Sequence, residues 1–481
     1  MITGTLRRRL ADPALLARLQ ALAAGAPAAA LVSLGIDVDQ GASDWLAALP
    51  AREPFWYQAQ PAQGHYRLGI GHALQVSSAG VNRFAALDNA WSGLRDTWRH
   101  DGRALAFCGF AFDENSQAPL PNALLAVPAI LLETRAGRCR ATLSTTAGRI
   151  AQAAACWLNL LDGTAAPASF RLLPARDHAL ADRAWMARVG AALREIDHGR
   201  VDKIVLARSH HLEANAPIAA GCVLEALIEQ QADAMIYAFG EGPRTFLGAT
   251  PERLVGIAGR SLTADALAAT AWPGSLDLDA PKNRHEQDLV TRAIVASLAR
   301  HCELPPQAGP VEIHAAGHVS HLRSRITGIT APGISIFDLV RALHPTPAVG
   351  GFPGPAAMNW LTGHGEARSG WYSGGFGTLT ATGDGEFWVA LRSALIAGNR
   401  VELHAGAGIV AGSDPELELA ETDAKIGTLL AALGSRPAGR RSASGCPPAG
   451  ARHAGQKVST AAQVLQIGGR EEYTSANLRG G

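Results

Sequence analysis

The chain has 481 residues, 47% of them hydrophobic, which is enough apolar side chain for a large packed core and excludes a disordered or fibrous protein. Its 43 lysines and arginines face 42 aspartates and glutamates, a formal charge of +1, so no global field draws in nucleic acid or an anionic membrane. Six cysteines show neither CxxC nor metal-ligand spacing, which fits reduced thiols and argues against zinc.

The Arg-rich start is followed by no apolar h-region, and the Ala-rich stretch 21–32 is broken by Pro27. Neither a signal peptide nor a membrane span is expected, and the chain reads as cytoplasmic. Short β-like runs occupy 30–36, 55–57, 66–70 and 105–112, with a helical pattern over 81–99 between them. The nearly continuous apolar run 122–133 predicts a strand buried on both faces. A helical pattern over 183–196 ends near Gly199, and a strand begins at Val201. Regular βαβ spacing is scarce, which favours an α+β fold: large, mainly antiparallel sheets with helices packed outside. No repeat of fixed period occurs. The chain divides into an N-terminal α/β region (1–180), a region carrying most of the chemically interesting residues (181–435), and a tail (436–481). The tail is rich in Gly, Ala, Ser, Pro and Arg with little periodicity, so disorder is expected there.

Within the strand that starts at Val201, both alternating sets are largely apolar, which predicts a desolvated Lys203. Such an amine serves either as a base or as half of a buried salt bridge. Glu252 follows an apolar strand and a Gly-Ala-Thr-Pro turn; it reads as a general acid in apolar surroundings or as a partner of the adjacent Arg253. Glu286 opens a helix that runs from Pro281 to about Arg300. Leu289, Val290, Ala293 and Ile294 follow it at helical spacing, placing the carboxylate on the buried stripe, where it needs a cation. Arg392 alternates with apolar neighbours, as an inward arginine suited to bidentate capture of a carboxylate does, and Tyr372 could bond the same group.

The glycine-punctuated strand end at 404–410 leads into an acidic helix start. Ser413 or Asp414 can cap it, Pro415 fits its first turn, and Glu416 can complete a capping box. Glu418, Glu421 and Lys425 fall on one face. That face is either a solvated charged surface or a pair of carboxylates for a hard cation such as Mg²⁺.

Six segments occur in order: Lys-Ile-Val-Leu-Ala-Arg (203–208), Phe-Leu-Gly-Ala-Thr-Pro-Glu-Arg-Leu (246–254), His-Pro-Thr-Pro-Ala-Val-Gly-Gly (344–351), Tyr-Ser-Gly-Gly (372–375), Glu-Phe-Trp-Val-Ala-Leu-Arg (386–392) and Ala-Gly-Ala-Gly-Ile-Val (405–410). Together they resemble the chorismate-utilising enzymes, the group of anthranilate, aminodeoxychorismate, salicylate and isochorismate synthases, and within it the isochorismate synthase branch. The resemblance covers roughly residues 32–433 and implies an antiparallel sandwich wrapped by helices, with the active site in a cleft.

By that resemblance, Lys203 activates water for attack at C2 of chorismate and Glu252 protonates the departing C4 hydroxyl. Glu286, Glu418 and Glu421 form a Mg²⁺ shell with Lys425 in support. Tyr372 and Arg392 hold the enolpyruvyl carboxylate, backbone amides at Gly406 and Gly408 assist, and Thr270 and His321 lie near the ring. Ala348 stands where salicylate synthases carry a threonine, which implies that the reaction stops at isochorismate. A salicylate synthase that also eliminates pyruvate, and a non-catalytic chorismate-binding paralogue, are the alternatives. No glutaminase subunit, nucleic acid or membrane partner is implied, and relatives of this architecture are commonly monomeric. Two departures from the family pattern stand out: Ala269 replaces its usual glycine, where a methyl group could crowd the substrate or forbid a backbone angle that only glycine accepts easily, and Gln287 replaces its usual histidine, which could alter support for the metal ligand.

Overall fold

The computed structural model describes residues 2–38, 45–116, 119–162, 169–174, 179–272, 278, 280–317, 319–434 and 464–466. The expected strand at 122–133 is Ala123–Arg135, buried along its whole length except Arg135. It is the element on which the sheets divide. One edge pairs throughout with His65–Ser78; the other pairs with Leu105–Phe110 through residues 123–126 and with Arg138–Thr146 through residues 130–135.

From this fork one antiparallel ladder runs through His65–Ser78, Phe55–Gln60, Met235–Glu241, Arg244–Thr250, Ser393–Ala397, Arg400–Val410 and Lys203–Glu213 to the short Gly351–Phe352. A second runs through Leu105–Phe110, Gly375–Thr380, Gly385–Val389, Arg253–Ala258, Ser261–Ala271 and Val319–Ile329 to Gln307–Ala316. Strands from both sides of residue 180 share these ladders.

Aromatic side chains fill the space between the two sheets. Trp56 lies 5.5 Å from Phe107, 4.5 Å from Phe239 and 5.6 Å from Trp371, ring centre to ring centre. Helices cover the outer faces: Pro13–Leu22, Ile150–Asp162, Ala220–Gln230 and Pro415–Gly434 on one side, Arg83–Thr97, Pro281–Ala299 and Ile336–Leu343 on the other. This is the antiparallel, helix-wrapped sandwich expected from the sequence. Helices Ile2–Leu10 and Pro13–Leu22 were not anticipated, because the Arg-rich start masks their short apolar stripes.

The acidic helix begins as Pro415–Gly434, and Asp414 is its cap: its Oδ1 accepts from the amides of Glu416 (2.9 Å) and Leu417 (3.0 Å). Ser413 instead accepts from Val410 N at 3.2 Å. With the cap at 414, Glu416 is one residue too early to close a capping box. Cys108, Cys139, Cys156, Cys222 and Cys302 are free thiols. Among the described residues no helix is long and apolar enough to cross a membrane. Val464–Gln466 forms a short strand parallel to His65–Ser78, an element not expected in the tail; the rest of 436–481 lies outside the described residues.

Candidate active site

A cavity opens where Lys203–Glu213, Ser261–Ala271, Arg400–Val410 and the helices starting at Pro281 and Pro415 converge. Lys203 begins its strand between Val410 and Phe352 and is 1% exposed, so its side-chain nitrogen has little water to solvate it. Its Nζ donates to Glu286 Oε1 at 2.7 Å. The sequence left Lys203 between base and salt bridge, and the geometry is compatible with both. Space for the pair comes from Gly408: a Cβ there would stand 2.6 Å from Lys203 Cε and 3.0 Å from Glu286 Oε1. At Gly406 a Cβ would meet Leu206 O at 2.8 Å and the Tyr372 hydroxyl at 2.9 Å.

Glu252 sits in the turn between Arg244–Thr250 and Arg253–Ala258, on the cavity wall. Its neighbour Arg253 turns away, packing over the Trp388 ring at 4.8 Å and approaching Glu386 at 3.9 Å, so the local ion pair considered from sequence does not form. Glu252 Oε1 is buried without a hydrogen-bond partner. Burial, followed by the charge of Asp265, pushes its carboxyl up to about 8, against the opposing pull of Lys203 and Lys425. A carboxyl in this state is a proton donor at neutral pH.

Arg392 is 5% exposed, and among the described residues no carboxylate pairs with it. Its Nη1 donates to Ala316 O at 2.9 Å and its Nη2 faces His321 Nε2. A buried guanidinium with donors to spare and no anion is prepared for one. His321 Nδ1 bonds the carbonyl of Ala269 at 2.9 Å and lies 3.3 Å from Thr270 Oγ1. Tyr372 is buried beside them, stacked on His404 with ring centres 5.1 Å apart. Ala348 lines the same cavity and offers only a methyl group.

The acidic helix sends Glu421 and Lys425 to the cavity wall, while Glu418 lies just behind it, 4% exposed. Lys425 Nζ donates to Glu421 Oε1 (2.7 Å) and to Gly406 O (2.8 Å). Burial alone would lower the Lys425 ammonium, but Glu421 outweighs it and raises it. Glu418 accepts from Lys282 Nζ at 3.0 Å, and its carboxyl is raised by burial and then by the charge of Glu421. Glu286, Glu418 and Glu421 are thus each held by a lysine, and among the described residues no three acidic, histidine or cysteine side chains gather as a ready metal cage. All three nevertheless offer carboxylate oxygens, and the charge of Glu421 that raises the Glu418 carboxyl is what a hard cation near them would offset.

All of the sequence-derived site residues except Glu418 line this one cavity. Ala269, where the family resemblance puts a glycine, has φ of +52°, a left-handed angle that its Cβ disfavours and a glycine would accept. Gln287 is not on the wall: it is 1% exposed and donates to Ala266 O at 3.1 Å and Ser324 Oγ at 3.3 Å, fastening its helix to the sheet. Sequence reasoning assigned no role to Ser373 or His404, both of which line the cavity. Ser373 lies inside the Tyr-Ser-Gly-Gly segment and has φ of +59°. His404 is the first residue of the glycine-punctuated strand end at 404–410.

A family profile described as chorismate binding enzyme matches residues 18–434. The chain is 35% identical over 407 residues to the salicylate biosynthesis isochorismate synthase of Pseudomonas aeruginosa, covering 79% of this chain and 85% of that one. To isochorismate synthase MenF of Bacillus subtilis it is 34% identical over 261 residues, 52% of this chain and 55% of that one. Its fold is similar to that of MenF, the menaquinone-specific isochorismate synthase from Escherichia coli, with a TM-score of 0.73 at 25% identity, covering 90% of this chain and 99% of that one.

Proposed function

The chain belongs to the chorismate binding enzymes, and on that premise we propose that it is an isochorismate synthase. Water adds at C2 of chorismate, the ring double bonds shift, and the C4–O bond breaks as the hydroxyl leaves. Water is a poor nucleophile and hydroxide a poor leaving group, so each needs its own proton-transfer partner. Lys203 takes the proton of the attacking water, and Glu252 gives its proton to the leaving oxygen. The isomerisation neither consumes nor produces protons, so Lys203 ends charged, Glu252 ends ionised, and exchange with solvent resets both.

The observation that carries this reading is the pairing on one wall of a buried Lys203 with a Glu252 whose carboxyl sits at about 8. Arg392, buried without an anion, and Tyr372 receive the enolpyruvyl carboxylate. Glu286, Glu418 and Glu421 would hold Mg²⁺, with Lys425 beside them, and the ion would supply positive charge to neutralise the ring carboxylate of chorismate. The enzyme works in the cytoplasm as a monomer, without a glutaminase subunit, since water and not ammonia is the nucleophile.

Incubating the purified protein with chorismate and Mg²⁺ and separating the products tests this. Isochorismate alone is expected, because Ala348 supplies no hydroxyl to the cavity. Salicylate with pyruvate would identify a salicylate synthase, and no turnover would leave a chorismate-binding paralogue. A Lys203→Ala variant that kept full activity would refute the assigned base.

A further inference from the structure

Ala269, His321 and Arg392 form one hydrogen-bonded line along the cavity wall. The ladder between Ser261–Ala271 and Val319–Ile329 runs in register to Ala268 opposite Leu322 and resumes at Thr270 opposite His321, so Ala269 is an extra residue. Its φ of +52° turns its carbonyl out of the ladder and toward His321 Nδ1, 2.9 Å away. A carbonyl oxygen brings no proton, so Nδ1 must carry one. Arg392 Nη2 only donates, so the His321 Nε2 it faces must be the bare nitrogen. Both neighbours therefore demand the same tautomer.

A doubly protonated ring would set N–H against N–H at Arg392. Burial, then the positive charges of Arg392 and Lys425, push the imidazole well below its ordinary range; the Ala269 carbonyl opposes them, and His314 adds the smallest push. Neither ring nitrogen is left to exchange a proton with substrate. Arg392 spends two donors on His321 and Ala316, which fixes the plane of its guanidinium and leaves its remaining donors for a carboxylate.

We propose that His321 is a positioning residue: its Nδ1–H tautomer, set by the bulged carbonyl of Ala269, holds Arg392 in the orientation that receives the carboxylate of the substrate. The proposal rests on the chorismate reading of the cavity, and its first test needs no substrate. In protein labelled with ¹⁵N-histidine, with the His321 signals assigned by their loss in His321→Gln, the nitrogen shifts should show a protonated Nδ1 and a bare Nε2, unchanged from about pH 8 to about pH 5.5. A protonated Nε2, or titration inside that window, overturns the proposal.

Kinetics supply the second test. His321→Gln, whose carbonyl can still accept from Arg392, should keep KM for chorismate within a few-fold. His321→Leu should raise KM by roughly tenfold or more with kcat nearly unchanged and the same pH profile. A fall in kcat with an altered pH profile in both variants would make His321 a proton-transfer group and refute the positioning role. Should His321→Leu fail to fold, the tautomer measured in the unmodified protein decides. Failure of the unmodified protein to convert chorismate would refute the chorismate reading while leaving the tautomer result standing.

Discussion

Replacing Glu252 by Gln should remove activity and raise the stability of the fold, relative to the unmodified protein, as pH rises toward about 8. The Glu252 carboxyl sits at about 8 when folded, against an ordinary value of 4.5, with burial as the main cause. Between those values the folded chain holds the proton that the unfolded chain releases. Stability therefore falls with each rising pH unit across that window and levels off above it. At about 1.36 kcal/mol per unit, the loss between about pH 5 and about pH 7.5 is on the order of 3 kcal/mol. Gln does not ionise and escapes this loss. Whatever its amide costs or gains by packing is common to both pH values. Denaturant unfolding of both proteins at both pH values isolates the ionisation: the stability advantage of Glu252→Gln should grow by about 3 kcal/mol on going from the lower to the higher pH. An advantage that is the same at both would refute the raised carboxyl, and with it the general acid. The same proton sets an alkaline limb, so kcat of the unmodified enzyme should fall as pH rises through about 8.

Gly408→Ala would place a methyl carbon 2.6 Å from Lys203 Cε, so the amine must move; kcat should fall by roughly 100-fold with the fold intact, as read by steady-state kinetics and circular dichroism. Ala269→Gly should stabilise the protein by about 1 kcal/mol in denaturant unfolding, because φ of +52° no longer strains a Cβ. Glu418→Gln removes one of two mutually repelling carboxylates, and a Mg²⁺ titration of turnover should show a requirement raised by roughly tenfold or more without loss of fold.

Much of this site is legible in the order and chemistry of the residues alone. The nearly continuous apolar run at 122–133 is the strand shared by both sheets, and the buried stripe after Glu286 does turn that carboxylate inward. At Ala269 the methyl group does not forbid the left-handed angle, which the chain adopts at φ of +52°. The two N-terminal helices are not legible, since three arginines end the first and the apolar stripes are short. The choice between Ser413 and Asp414 as cap is equally open, because both side chains have the chemistry and only the path of the chain decides which amides they face.

The inventory is written in the order of the residues: the ordered segments, the buried lysine, the inward arginine and the acidic helix. Those follow from hydrophobic periodicity and residue chemistry, which are local. The state of each group comes from its neighbours in the folded chain. Glu286 meets Lys203 across 83 residues of chain and Glu418 meets Lys282 across 136, while Glu252 meets no cation at bonding distance and keeps its proton. Proton affinity and ion pairing depend on burial and on charges a few ångströms away, and those neighbours are set by the folding of distant strands onto one another.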